Sequence, residues 1–375
     1  EPWTARPTEQ GVRIEQPGAG SAILNRVTGA SRSEIQGRLD ANGKVFLINR
    51  NGVVFGETAA VNVGSLVAST LDIDNDDFVA DRLRFRALEG PAAVENAGSI
   101  SVADRGTVAL MGGRVANNGT IRAQLGTVAM AAGEEMTLDL AGDGLSRLTV
   151  TRATLDALVA NGGAVIADGG QVLLSARALA EVSSRVVNQT GVVRARGLSE
   201  RGGRIVLDGG DSGVTEVSGV LDASAPQAGG RGGEVQVLGH HVAVSGAAAL
   251  DASGAAGGGA VLVGGDYQGR NPAVRNAKAA YVGPRASVKA DATMAGAGGK
   301  VVAWSDDATR AHGSFSARGG PAGGDGGVVE TSGGFLDVSG ARVSATAPAG
   351  KAGQWLLDPT DLRIVAGDAN DNIDE

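Results

Sequence analysis

The chain is 375 residues long and carries 61 glycines, 10 prolines, no cysteine, 3% aromatic residues and a formal net charge of −8. Forty-two per cent of it is hydrophobic, enough for a core of small and branched side chains packed close to backbone. The acidic balance argues against nucleic acid and anionic membranes as partners, the lack of cysteine excludes a disulfide framework, and no apolar run is long enough to span a bilayer.

The densest and least repetitive stretch runs from Ala22 to Leu71. Its apolar residues come in short bursts: Ile23-Leu24, Val45-Phe46-Leu47-Ile48, Val53-Val54-Phe55, Val61 and Val63, and Leu66-Val67. Asn42-Gly43 and Asn51-Gly52 separate them, so the pattern predicts short strands joined by tight turns, with no helical period. Val45, Leu47, Val53 and Phe55 have the parity to share one side of a strand pair, with Asn49-Arg50-Asn51-Gly52 turning between.

The residues Asn25-Arg26-Val27-Thr28-Gly29, Ile35-x-Gly37-x-Leu39, Ala41-Asn42-Gly43-x-Val45-x-Leu47-Ile48-Asn49 and Leu66-Val67-Ala68-Ser69-Thr70 resemble the filamentous-haemagglutinin-type secretion domain. That domain opens the large exoproteins of two-partner secretion in Gram-negative bacteria. The family's usual Asn-Pro-Asn-Gly reads Asn49-Arg50-Asn51-Gly52 here, which keeps the turn formers and loses the proline. No counterpart of the family's leading strands or its Asn-Pro-Asn-Leu motif is found between Glu1 and Gln16.

Asp72 to Pro91 reads as a charged insertion that protrudes. From Glu95 onward a two-part unit recurs. The first part is a Gly-led strand, as in Gly98-Ser-Ile-Ser-Val, Gly119-Thr-Ile-Arg-Ala, Gly191-Val-Val-Arg-Ala and Gly219-Val-Leu-Asp-Ala. The second begins at 106, 126, 203, 233, 259, 299, 327 and 353, mostly 20 to 40 residues apart. That period marks a solenoid, and strands this short bury their apolar side only by stacking. The fold expected is all-β: a right-handed parallel β-helix with short excursions, on the order of 60 Å long at about 4.8 Å per coil.

Asn96, Asn118 and Asn188 precede Gly-led strands at matching places, which fits either a stacked amide ladder or an ordinary turn preference. Thr154–Ala160 spaces Leu155, Leu158 and Val159 as a short helix stopped at Asn161-Gly162-Gly163, and Ala176–Val186 places Leu179, Val182 and Val186 on one helical face. The organisation expected is a secretion block at 1–94 lacking its first strands, repeats at 95–358 and an acidic tail at 359–375. Trp355-Leu-Leu-Asp-Pro359 continues the resemblance to the end of the repeats.

Little in the chain suggests chemistry. Asp72-Ile-Asp74-Asn75-Asp76-Asp77 lacks the Gly and Glu that a helix–loop–helix calcium loop requires. Asp222 and Asp251 share a Leu-Asp-Ala-Ser frame 29 residues apart, a spacing compatible with neighbouring coils, and read as outward solubilising charges rather than a glycosidase pair. His240-His241 would face opposite ways on a strand, and His312 stands alone. No metal site, cofactor or enzymatic activity is expected.

The resemblance implies a secretion-competent region of an adhesin-like exoprotein, recognised in the periplasm by an Omp85-type outer-membrane transporter and delivered to the cell surface or the medium. It carries Asn25, Arg26, Asn49, Asn51 and Gly52 over as transporter-recognition positions, with simple turn geometry as their other reading. A host cell-surface or extracellular ligand is the further partner. The rival functions are a carbohydrate-active β-helix enzyme and a binder of host haem-carrier proteins.

Overall fold

The computed structural model describes residues 4–8, 11–88, 90, 92–140, 146–179, 185–198 and 202–359. The chain winds as a parallel β-helix in which each coil supplies three strands to three faces. The first face is a 13-stranded sheet running from Thr4–Thr8 and Gly11–Glu15 to Arg342–Ser344, antiparallel only in its first pair. The second face stacks Ala22–Arg26, Lys44–Ile48, Ser65–Ser69, Thr107–Gly112 and Thr127–Ala132 on to Gln354–Pro359. The third stacks Ser33–Ile35, Val53–Phe55, Ala93–Asn96, Arg114–Asn117 and Leu158–Asn161 on to Ala279–Val282 and beyond.

Register holds from coil to coil, and this makes the core. On the first face Val61, Ile100, Ile121, Val165, Val193, Leu221, Leu250, Val288 and Phe315 stand one above another. Each is at most 1% exposed. One strand alone leaves such residues in water; the stack removes them all. The Gly-led corners exist because coils touch there. A Cβ on Gly119 would lie 2.1 Å from the carbonyl oxygen of Gly98, and one on Gly163 would lie 2.1 Å from that of Gly119. No side chain fits so close an approach.

Several expectations are corrected. The recurring unit has three strands, not two. The missed one is the third face, and the missed copies in the gap between 126 and 203 are Gly163-Ala-Val-Ile and Gly170-Gln-Val-Leu-Leu. Thr154–Ala160 is not a helix: Thr154 bridges to Ala178, Leu155 is exposed, and Leu158–Asn161 is a strand with Val159 inside. Stacking between Arg114–Asn117 and Arg185–Gln189 overrides the local helical spacing. Around Ala176–Val186, Ala176 ends one strand and Val186 lies buried in another, while residues 180–184 fall outside the described residues. Two strands also stand before Gln16, where the sequence reading found none. The tail beyond Pro359 lies outside the described residues.

The insertion at Asp72 does not simply protrude. Asp72–Ile73, Leu83–Arg86, Glu135–Asp139 and Arg147–Arg152 form a four-stranded antiparallel sheet laid on the outside of the second face. It closes a second core of Phe46, Ile48, Val67, Ala109, Met111 and Ala131 from the coil against Phe85, Met136 and Val150 from the cover. The covered strands are apolar on both sides, so Val108-Ala109-Leu110-Met111 needs a layer above as well as below.

Candidate functional site

The residues singled out at the start of the chain meet at one stacked corner. Residues 27–32 turn the chain from the second face to the third, and residues 49–52 make the same turn one coil later. Asn49 is 1% exposed. Its Nδ2 donates to the Ser31 carbonyl at 3.0 Å and to Ser33 Oγ at 2.8 Å. Its Oδ1 accepts the Asn51 backbone N–H at 3.0 Å, and its carbonyl accepts the Gly52 N–H at 3.0 Å, closing the turn. Asn51 Nδ2 reaches back to the Gly29 carbonyl at 2.7 Å. Gly52 sits at φ 122°, a conformation that strains any side-chain-bearing residue. One corner is thus pinned to the corner beneath it by two side-chain amides.

Asn25 and Arg26 approach the same place from the coil below. Asn25 Nδ2 donates to the Phe46 carbonyl at 3.4 Å. Arg26 points outward and clamps the start of the cover: Nε donates to Asp72 Oδ1 at 2.8 Å, Nη1 to Asn75 Oδ1 at 2.8 Å, and Nη2 to the Ile73 carbonyl. A groove lined by Arg26, Val27, Thr28, Ile48, Arg50, Asp72 and Leu88 runs between corner and cover. The parity assigned to Val45, Leu47, Val53 and Phe55 places all four toward the main core. They do not form a hairpin, however: Lys44–Ile48 and Val53–Phe55 pair with neighbouring coils instead of each other.

The remaining candidates take structural roles. In the acidic run, Asp72 pairs with Arg26, and Asp74 Oδ1 accepts the N–H groups of Asp76 and Asp77 to cap the helix Asn75–Val79. Asp222 and Asp251 do stand opposite each other on adjacent coils. Asp222 is not a free solubilising charge, being 9% exposed. It accepts from Arg196 Nε at 2.7 Å, Ser224 N at 3.0 Å and Ser224 Oγ at 2.6 Å. Asp251 turns to the Ser253 N–H at 2.8 Å.

His240 and His241 do converge, with ring centroids 4.6 Å apart, because His240 lies in the corner and only His241 is in the strand. Burial, then the neighbouring His240, hold His241 below the ordinary histidine range, and Asp307 opposes them. His312 packs on Tyr281, and its Nδ1 lies 2.9 Å from the Ser339 carbonyl oxygen. Among the described residues no group of three or more His, Asp or Glu is arranged to hold a metal ion.

Of the two readings offered for Asn96, Asn118 and Asn188, the amide ladder exists and includes Asn96, but its other rungs differ. Asn96 donates to Asn117, Asn117 to Asn161 and Asn161 to Gln189, each at 2.7 Å. The rungs are Asn117, Asn161 and Gln189, not Asn118 and Asn188. Period-two parity within Val115-Ala116-Asn117 and Val159-Ala160-Asn161 is the signal that identifies them.

Comparison with known proteins places this geometry. The family description of the TPS secretion domain matches residues 7–237. The HMW1 secretion domain from Haemophilus influenzae superposes with a TM-score of 0.82 at 30% identity, covering 95% of this chain and 97% of that one. Two Haemophilus influenzae proteins named heme/hemopexin-binding protein are also similar. One is 32% identical over 209 residues, 53% of this chain and 22% of that protein; the other is 31% identical over 217 residues, 52% and 23%. The chain spans less than a quarter of the length of these curated relatives. With the coil architecture, the amide-pinned corner and the family match together, the chain belongs to the TPS secretion domain family, the secretion region of two-partner secretion exoproteins.

Proposed function

We propose that the corner built by Asn25, Arg26, Asn49, Asn51 and Gly52 is what the cognate outer-membrane transporter, of Omp85 type, reads during export. One observation carries this reading: positions from two sequence segments, Asn25-Arg26 and Asn49 to Gly52, lie at a single stacked corner. From it, Asn49 and Asn51 reach back to residues 29–33 and Arg26 reaches out to the cover. The amide hydrogen bonds of Asn49 and Asn51 join residues only 16 to 22 apart, so this part of the corner is among the first tertiary features a folding chain can make. Before it forms, the strand edges flanking it offer unpaired backbone groups, which suit capture by edge addition.

In this reading residues 1–94 are the recognised block and 95–358 the rod that stacks on it. The mature exoprotein carries an adhesin-like rod to the cell surface or the medium, and the names of the similar proteins favour a host haem-carrier protein as a ligand of the whole. This reading assigns no catalytic role: the family is one of secretion domains, Asp222 is held by Arg196 of the neighbouring coil and by Ser224, and Asp251 by the Ser253 N–H.

The test is export with the transporter co-expressed. Gly52→Val, Asn49→Ala and removal of residues 22–71 should each cut export sharply, while Arg50→Pro should export normally. Undiminished export of Gly52→Val or of the deletion overturns the recognition role.

A further inference from the structure

Residues 264–278 leave the second face after Ala260–Val263 and re-enter the third face at Ala279–Val282. They do not turn the corner directly but form a strap over the outside of the rod. At its rear end Arg275 pairs with Asp211 and stands 3.4 Å from Asp208, at the close of a strand two coils below. At its forward end the Gln268 N–H donates to both carboxylate oxygens of Glu330, at 3.1 and 3.0 Å, two coils above. One short segment therefore spans five consecutive coils.

Beneath it Leu238, Leu262 and Val302 form a separate apolar cluster with the strap's own Val274, and Trp304 packs against them. Gly265 and Gly269 lie on the indole so closely that a Cβ on either would meet ring atoms at 2.6 Å. Trp304 Nε1 is buried there without a hydrogen-bond partner among the described residues.

The forward anchor is the unusual part. Glu330 is 0% exposed; both its oxygens accept the Gln268 N–H, the Ser332 hydroxyl acts on the same carboxyl, and among the described residues no cation pairs with it. Lys300, on the strand that pairs with that of Glu330, is committed to Asp266 on the strap. Asp358 on the following strand and Asp266 repel an ionised Glu330. The other charged groups of the strap point elsewhere: Arg275 to Asp208 and Asp211, Lys278 to Asp306 and Asp307, with Arg270 exposed. His240 and His241 stand at the strap's exit, where Lys278 N donates to the His240 carbonyl.

We propose that this strap is a proton-responsive clamp, seated on Trp304 when Glu330 is neutral and lifting at its forward end when Glu330 ionises. Lifting uncovers an apolar strip of Leu262, Val302 and Trp304 on the rod's outer face. Burial pushes the Glu330 carboxyl above its ordinary 4.5; the Gln268 N–H and the Ser332 hydroxyl oppose this, while Asp358 and Asp266 reinforce it. The sign follows. Below 4.5 the carboxyl is neutral whether the strap is seated or lifted, and the clamp is at full strength. As pH rises through 4.5 toward the raised value, a solvated Glu330 sheds its proton while the seated one resists, so the seated state loses ground.

The experiment is hydrogen exchange on the full chain, read by mass spectrometry between pH 4 and 8 and corrected for intrinsic rates. Peptides covering 264–278 should gain protection as pH falls. The change in opening equilibrium is about tenfold for each unit by which the seated carboxyl stands above the ordinary one. Glu330→Gln, a neutral stand-in, should hold the strap protected at every pH and abolish the slope. Arg275→Gln should lower protection equally at every pH and leave the slope in place. A wild-type strap with no slope, a slope surviving in Glu330→Gln and so belonging to His240 or His241, or a Glu330→Gln chain that fails to fold would each overturn the clamp.

Discussion

The side-chain amide of Asn96 donates to the side-chain oxygen of Asn117 at 2.7 Å, one coil above it, inside a core where both residues are at most 2% exposed. The chain of amides runs on through Asn161 to Gln189, then stops where Val217 takes the next rung. Phe55 closes it from below. A buried polar column of this kind is tolerated only because each rung satisfies the next. Asn117→Ala breaks it in the middle and strands the Asn96 donor and the Asn161 acceptor, at about 1–3 kcal/mol for each unsatisfied group. Asn118→Ala, one residue along and exposed, should stay within about 0.5 kcal/mol. Denaturant unfolding of the two variants reads the difference; equal effects would mean the ladder contributes no stability.

How much of this was legible in sequence depends on parity. The Gly-led strands announce themselves because stacked coils leave no room for a Cβ, so the glycines recur in fixed frames. The third face does not, because only some of its strands follow a glycine, as at Gly52, Gly113 and Gly213, and no fixed frame recurs among them. Choosing Asn118 over Asn117 came from aligning on the following glycine instead of counting strand parity. The cover sheet was hidden for another reason. Its four strands come from two segments whose paired residues lie 49 (Arg86 to Glu135) to 55 (Leu83 to Leu138) apart, and only the unbroken apolar run in Thr107–Gly112 hints that a second layer is needed. At the candidate site the Asn and Gly were readable as turn formers, whereas Arg26's grip on Asp72 and Asn75 was not, since it spans 46 and 49 residues.

Gly52 and Gly20 give a clean contrast at the corner. Gly52 has φ 122°, whereas Gly20 is exposed with nothing within 4 Å of an added Cβ. Gly52→Val should cost about 1–3 kcal/mol from backbone strain, and Gly20→Val should be nearly neutral. Gly257 is no substitute for Gly20 as a control, because it is buried at φ 149°. Arg50 occupies the second position of the turn closed by Gly52 N–H to Asn49 carbonyl, where proline's fixed φ fits. Arg50→Pro should therefore add about 0.4–1 kcal/mol. Thermal melts of all three variants decide the point.

Asp222 and Asp251 occupy equivalent places but should not respond alike. Asp222→Ala removes the acceptor of Arg196 and of Ser224 from a nearly closed site, and a loss of about 1–3 kcal/mol is expected. Asp251→Asn keeps an oxygen for the Ser253 N–H and should stay within about 0.5 kcal/mol. If the two variants unfold at the same denaturant concentration, the Arg196–Asp222 pair carries no stability.

The cover should behave as a true layer. Phe85 is 0% exposed between the added sheet and the coil, in the cluster that holds Phe46, Met111 and Met136. Phe85→Ala should cost about 3–5 kcal/mol. Limited proteolysis should then open first at residues 72–86 and 135–152, before the coils beyond 204. Cleavage spread evenly along the rod would mean that the layer and the coil unfold together.

Asp266 sets the acid limit of the strap's grip. Burial alone would push its carboxyl up, but hydrogen bonds from Asn271, Lys300 and the Tyr267 N–H outweigh it and hold the group below the ordinary 3.8. A depressed carboxyl contributes stability that is present above 3.8 and lost as pH falls through the lower folded value. Glu330, the raised carboxyl that the strap's Gln268 engages, works in the opposite direction, so the grip should be greatest in mild acid and weaker on both sides. Asp266→Asn removes the anion that Lys300 binds and should lower the melting temperature at pH 6. The deficit should shrink as pH falls below the ordinary carboxylate range, where wild-type Asp266 has itself taken up a proton. Melting curves of the two chains from pH 6 down to pH 2.5 test this, and a deficit that stays constant over that range would show that the charge of Asp266 is not what holds Lys300 and the strap in place.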